Sequence, residues 1–279
     1  MTYNTILVHV DQSPRAAHVV QLAARIALVD EAHLIGVAST GIDHLVYQYS
    51  GVALGMPLGM DDFTQLTESA DSTLAAFETQ VQRLGVPSYE RRRIDDESAY
   101  GLALQSRYCD LLVIGQPDPD QPTTGLPVGL PQKVVLHGAR PVLLVPRQGE
   151  FEHVGRNAVI AWDGSIEAAR AITAALPLLR HSRKATLAVF NPQERYEAHG
   201  EEPGADMALF LARHGIQVVV EQRTTALDVG DALLSMAANL GADLLVMGCY
   251  GHTRLHELVL GGASRTVLRS ATLPVLMAH

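Results

Sequence analysis

The sequence predicts an α/β protein made of two tandem, doubly wound domains, each on a five-stranded parallel sheet. Three observations carry that prediction. Short aliphatic runs alternate with longer helix-patterned segments, as in βα units that close into a parallel sheet. The hydrophobic fraction is 47% while the aromatic fraction is only 5%, so the cores are aliphatic, as strands buried on both faces require. The chain is also written twice. Asp110-Leu-Leu-Val-Ile-Gly115 recurs as Asp243-Leu-Leu-Val-Met-Gly248, and the run from Pro141 to Val145 recurs from Pro274 to Ala278. Asp110 and Pro141 stand as far apart as Asp243 and Pro274, so this portion aligns without a gap. The beginnings match as well: the aliphatic run from Ile6 ends in Asp11-Gln-Ser13, and that from Ala158 ends in Asp163-Gly-Ser165.

In the first repeat, strands are expected at 4–10, 33–39, 89–94, 110–115 and 141–145, and helices at 14–29, 64–84, 98–107 and 130–137. In the second, strands are expected at 157–162, 185–190, 216–222, 243–247 and 274–277, and helices at 165–180, 203–214, 229–240 and 262–270. Gly85 and Gly215 stand where helix ends favour a left-handed residue. The Gly/Met-rich segment from Ser50 to Met60 reads as a loop of the first repeat. The polar stretch from Arg147 to Arg156 reads as the join, giving domains at 1–148 and 154–279.

Several function classes are disfavoured. A formal net charge of −9 opposes non-specific nucleic-acid binding, which needs a basic surface for phosphates. The run Glu90-Arg91-Arg92-Arg93 is short and reads as a solvated strand edge. No apolar run reaches the roughly 18 residues of a membrane span. Two cysteines without CxxC spacing, and a start that runs directly into a strand, fit a reducing cytoplasm.

The chemistry is expected beyond the carboxyl ends of the strands, where ligands bind in open α/β sheets. In the second repeat Asp163 closes the first strand and Gly248 the fourth. From Gly248 the chain passes Gly251, Gly261 and Gly262 and then enters a helix through Ala263 and Ser264. Glycines allow close approach of the backbone to a ligand, and a helix N-terminus offers unpaired amides to an anion. The segment therefore reads as a phosphate cradle, to which Ser264 adds a hydroxyl. Asp163 reads either as an acceptor for ribose or as the N-cap of the following helix.

The pattern Gly248-x2-Gly251-x9-Gly261, with its helix, Pro274-Val-Leu and the strand ending at Asp163-Gly-Ser165, resembles the nucleotide motif of the universal stress protein family. The resemblance spans nearly the whole chain as two copies. It implies the strand order 3-2-1-4-5 and an adenine nucleotide, ATP or a relative, with Mg as an accompanying ion. It places Asp163, Val189 and Met247 near adenine and ribose, and the backbones of Gly248, Gly251, Gly261, Gly262, Ala263 and Ser264 along the phosphates. Two departures stand out. Gly262 replaces the Ser or Thr common in the family's nucleotide binders, removing a donor worth about 1.5–3 kcal/mol in a charge-assisted bond. Trp162 stands where a smaller residue is common, and covering the sheet is favoured over stacking on adenine. By the same resemblance the last strands of the two repeats, 141–145 and 274–277, are expected to pair as an intramolecular pseudo-dimer, with a homodimer of chains as a further option.

The first repeat does not carry the cradle. Gly115 and Gly129 match Gly248 and Gly262, but Asp118 falls on Gly251, Val128 on Gly261 and Pro131 on Ser264. A carboxylate repels phosphate, and proline lacks the amide a helix start should donate. One site per chain is therefore expected. No catalytic residue is predicted. His252 and His256 lack an HExxH pattern, and neither a pyrophosphatase loop nor a HIGH-type histidine pair is present. Arg254 and Arg265 are candidates for charge neutralisation. The expected function is a nucleotide-binding stress or regulatory protein, with a structural interaction protein or a slow ATP hydrolase as alternatives.

Overall fold

The computed structural model describes residues 2–41, 60–118, 129–195, 201–250 and 262–279. Gly251 and Gly261 of the expected cradle, and His252, Arg254 and His256, lie outside the described residues, as does most of the 50–60 segment. By contacts the chain divides into two compact units, which part between Arg140 and Pro141.

The first unit runs β1 (Thr5–His9), α1 (Ala16–Asp30), β2 (His33–Ser39), α2 (Met60–Leu84), β3 (Tyr89–Ile94), α3 (Ser98–Gln105), β4 (Leu111–Gly115) and α4 (Leu130–His137). Its strands are all parallel, in the order β3-β2-β1-β4. Gly36 lets α2 reach the sheet: a Cβ there would lie 2.5 Å from the Phe77 ring, which is fully buried. The Asp110 carboxylate accepts the Asn4 and Thr5 amides at 2.8 and 3.0 Å, tying the start of β4 to the start of β1.

The second unit runs β5 (Val142–Val145), β6 (Asn157–Ala161), α5 (Ile166–Leu179), β7 (Lys184–Phe190), α6 (Ala205–Arg213), β8 (Val218–Arg223), α7 (Val229–Leu240), β9 (Leu244–Gly248), α8 (Ala263–Ser270) and β10 (Val275–Ala278). Strands β8-β7-β6-β9-β10 form a parallel sheet, which is the order 3-2-1-4-5 within this repeat. Strand β5 joins it antiparallel to β10, with Leu143 opposite Leu276, which is why contacts group β5 with this unit. The polar stretch expected as the join follows β5, and Gly149 and Gly155 within it take φ of +93° and +89°.

The repeated aspartate has the same role in both units. Asp243 accepts the Gly155, Arg156 and Asn157 amides at 3.0, 3.1 and 2.9 Å, holding the start of β6 to the start of β9. The cores are aliphatic, with β1, β4, β6 and β9 buried almost throughout. Gly85 and Gly215 take φ of +76° and +80° at helix ends. Cys109 and Cys249 are both buried free thiols. Among the described residues no helix is long and apolar enough to cross a membrane.

Candidate functional site

Strand β6 has β7 on one side and β9 on the other, so the connections leave it in opposite directions. A crevice opens at such a switch point, beyond the carboxyl ends of the strands. Here it is a cavity of about 430 Å³.

The first wall is the turn from β6 into α5. The Trp162 amide still pairs with the Ala188 carbonyl at 2.9 Å, and Gly164 then reverses the chain at φ +77°. Both the Ser165 amide and its hydroxyl donate to Asp163 Oδ1, at 3.0 and 2.6 Å. Ser165 Oγ in turn accepts the Ala168 amide at 3.1 Å and caps α5. Asp163 is therefore not the cap itself. It orients the residue that is, because Ser165 stands three residues before Ala168 and its hydroxyl can both donate and accept.

The second wall is β9 and the start of the loop after it. Gly248 lies against the first turn of α5: a Cβ there would fall 2.4 Å from the Ala168 nitrogen and 2.6 Å from the Glu167 carbonyl carbon. Glycine at 248 is thus demanded by helix packing as well as by its place on the cavity. The Cys249 amide pairs with the Ala278 carbonyl at 2.8 Å. Tyr250 then takes a left-handed φ of +59°, and its amide donates to Ser264 Oγ at 3.3 Å.

The third wall is made by helix starts. Gly262 is the N-cap of α8, with extended backbone and no side-chain cap. Asp228 is the N-cap of α7, and its Oδ1 accepts the Asp231 amide at 3.1 Å. The two starts are close. A Cβ on Gly230 would lie 2.7 Å from the Ala263 carbonyl oxygen and 2.8 Å from Asp228 Oδ1. Residues of the first turns of α5, α7 and α8 all line the cavity; Ser165 and Asp228 already cap the first two helices, whereas the start of α8 has no side-chain cap.

The structure brings together six of the expected residues, Asp163, Met247, Gly248, Gly262, Ala263 and Ser264. Val189 is not among them. It is fully buried on β7 and packs towards Gly204, while its neighbours Ala188 and Phe190 face the cavity. Strand alternation puts i and i+1 on opposite faces, and the parity selects the neighbours. Trp162, favoured as a sheet cover, also lines the cavity. Sequence reasoning missed Phe190, Leu227 and Asp228. Phe190 could have been found as the last residue of a neighbouring strand. Leu227 and Asp228 are brought in by a clamp legible only in space, where the Asn191 side chain accepts the Thr225 amide at 2.8 Å and donates to the Thr225 carbonyl at 3.1 Å.

The corresponding place in the first unit is built differently. Pro131 occupies the first turn of α4 and Leu130 beside it is buried. Lys133 of α4 pairs with Glu97 at the start of α3 at 3.1 Å, so a protein carboxylate already meets a cation there. Asp118 is described and Val128 is not. His9, at the end of β1, is buried, and its Nδ1 has no hydrogen-bond partner among the described residues. Burial holds its imidazole below the usual pKa, against the opposing pull of Asp11. No group of three or more His, Cys, Asp or Glu side chains suited to a metal ion occurs among the described residues.

Comparison with known proteins gives a consistent picture. Residues 155–279 match the model of the Universal stress protein family. The whole chain is similar in structure to a universal stress protein from Archaeoglobus fulgidus DSM 4304, at 16% identity over 99% of this chain and 96% of that one, with a TM-score of 0.75. It is also similar to a functionally unknown protein from Pseudomonas aeruginosa PAO1, at 16% identity over 99% and 92% of the two chains, with a TM-score of 0.63. At these identities the likeness is one of fold. No curated protein matches the chain in sequence.

Proposed function

Because residues 155–279 form a universal stress protein domain, we propose that the second unit binds an adenine nucleotide, ATP or a relative, at one site per chain, and acts by binding rather than by catalysis. The observation that carries this reading is the meeting of three helix starts at one cavity beyond β6, β7 and β9. The uncapped start of α8 suits phosphate oxygens, and the apolar side of the cavity, with Trp162, Phe190, Leu227 and Met247, suits a planar base. Asp163, already held by Ser165, is placed to accept from a ribose hydroxyl. The contrast with Pro131 and the Lys133–Glu97 pair supports a single site.

Asp163 and Asp228 are the two carboxylates on the described cavity wall, and carboxylate oxygens are what a hard divalent cation takes. These two residues would hold Mg bound to the nucleotide, and Mg would supply positive charge beside the phosphates.

The chain has a single tryptophan, Trp162, and it lines the cavity. Titration of its fluorescence with adenosine, AMP, ADP and Mg-ATP is the direct test. Saturable quenching or enhancement by adenine ligands, absent with ribose 5-phosphate, supports the reading. A signal indifferent to all adenine ligands leaves an interaction protein as the better account.

A further inference from the structure

We infer that the outer face of α3 in the first unit docks a second copy of this chain, the two α3 helices lying antiparallel about a two-fold axis at Leu104. The inference stands apart from the nucleotide reading, since it concerns the first unit and uses none of the cavity's residues.

Helix α3 and the 3-10 turn that follows it, Ser106–Tyr108, bury Ala99, Leu102, Ala103 and Ser106. The opposite stripe is where a surface helix ordinarily carries polar and charged side chains. Here it carries Tyr100, Leu104 and Tyr108, exposed at 65%, 37% and 68%. A spacing of four residues sets the three on one face, about one turn apart. Tyrosine combines a broad apolar ring with a polar tip and is enriched where proteins meet.

The order of the stripe points to the occupant. In either direction it reads tyrosine, leucine, tyrosine. An isologous contact needs a patch that complements itself. Turning a second copy about Leu104 sets Leu104 against the partner's Leu104 and Tyr100 against the partner's Tyr108.

Charge agrees with that orientation. Asp95, Asp96 and Glu97 stand at the start of α3. Asp95 pairs with Arg93 at 3.2 Å and Glu97 with Lys133 at 3.1 Å, and Asp96 is in no ion pair among the described residues. The other end of the stripe carries Arg107, with Arg140 near it: the Ala139 amide donates to Ser106 Oγ at 2.9 Å and holds the end of α4 against this turn. Arg107 and Arg140 are in no ion pair among the described residues. An antiparallel pairing lays this basic end on the partner's acidic start and sets the two helix dipoles head to tail, whereas a parallel pairing would stack like charges.

The patch is small. Each tyrosine leaves roughly 100–160 Å² to bury, so with Leu104 the stripe supplies roughly a third to a half of the ~800 Å² a side of a standard interface. The dimer is therefore a weak, reversible one.

The test is sedimentation velocity of the full chain over a range of about 1 μM to 1 mM. Wild type should pass reversibly from monomer to dimer. Arg107→Glu, a change at an exposed position, should weaken the dimer at least about tenfold. Raised salt should weaken it in wild type, as screening requires. Leu104→Cys should give a disulfide-linked dimer when treated with oxidised glutathione, because the pairing brings this position against its own copy. Val29→Cys, at an exposed position of α1, should not. A wild type that stays monomeric across the range overturns the inference and leaves the stripe to a different protein. A dimer that tolerates Arg107→Glu, or Leu104→Cys that cross-links no better than Val29→Cys, overturns it by assigning the contact to another surface.

Discussion

Asp163 Oδ1 accepts two hydrogen bonds from Ser165, from the amide at 3.0 Å and from the hydroxyl at 2.6 Å. One carboxylate oxygen thus fixes the turn that starts α5 and sets the position of the group expected to meet ribose. Asp163→Ala should lower unfolding stability by about 1–3 kcal/mol, since bonds to a charged acceptor are the stronger kind. It should also weaken adenosine binding. Asp163→Asn keeps an acceptor for the Ser165 amide and should lose less stability. Urea unfolding followed by Trp162 emission reads both variants, and equal stability of Asp163→Ala and wild type would contradict the role given to this turn.

Gly248→Ala should be costly, because its Cβ would strike backbone atoms of α5 at 2.4 and 2.6 Å. Overpacking of this kind costs about 1–3 kcal/mol. At Gly36 the nearest atoms are those of the Phe77 side chain rather than backbone, so the cost of Gly36→Ala should be smaller. Thermal unfolding of the two variants side by side gives the order.

Ser264→Ala removes the acceptor for the Tyr250 amide. A lost hydrogen bond of this sort is worth about 0.5–1.5 kcal/mol. Tyr250 sits at φ +59°, a conformation that needs such a tether, so the loop start should loosen and nucleotide affinity should fall. Hydrogen exchange at the Tyr250 amide should speed up in the variant. Unchanged exchange would show that the bond does not hold the loop.

His9 makes stability depend on pH. Burial lowers its folded pKa below the usual 6.5. Above that pH neither the folded nor the unfolded chain binds the proton, and His9 contributes nothing to the slope. As pH falls through 6.5 the unfolded chain protonates first, so stability drops, and the loss levels off once pH is below the folded pKa. His9→Ala should flatten the dependence of the melting temperature as pH falls through about 6.5. A variant whose slope matches wild type would remove His9 as the cause.

Much of the fold was legible, and the reasons are specific. The strands expected at 185–190 and 89–94 are found at Lys184–Phe190 and Tyr89–Ile94. The 64–84 helix was short by one turn, since Met60 and its neighbours were read with the glycine-rich loop before them. Asp163 and Gly248 are expected at the site because they end strands of a repeated unit, and both line the cavity. Val189, expected near adenine and ribose, lies off the cavity, because strand parity turns its side chain to the opposite face from Ala188 and Phe190. Leu227 and Asp228 were invisible because the Asn191–Thr225 clamp that brings them in joins two different strand ends. Glycines expected to line a ligand and glycines demanded by packing also look alike in a sequence. Only the approach of Ala168 separates Gly248 from a simple cradle residue.

The central claim is one adenine-nucleotide site, in the second unit. Isothermal titration of the full chain with AMP and with Mg-ATP tests it most directly. The account predicts a stoichiometry of one per chain, unchanged by Lys133→Ala in the first unit and weakened by Asp163→Ala in the second. Two equivalent sites per chain, or binding that survives Asp163→Ala but is lost in Lys133→Ala, would contradict it.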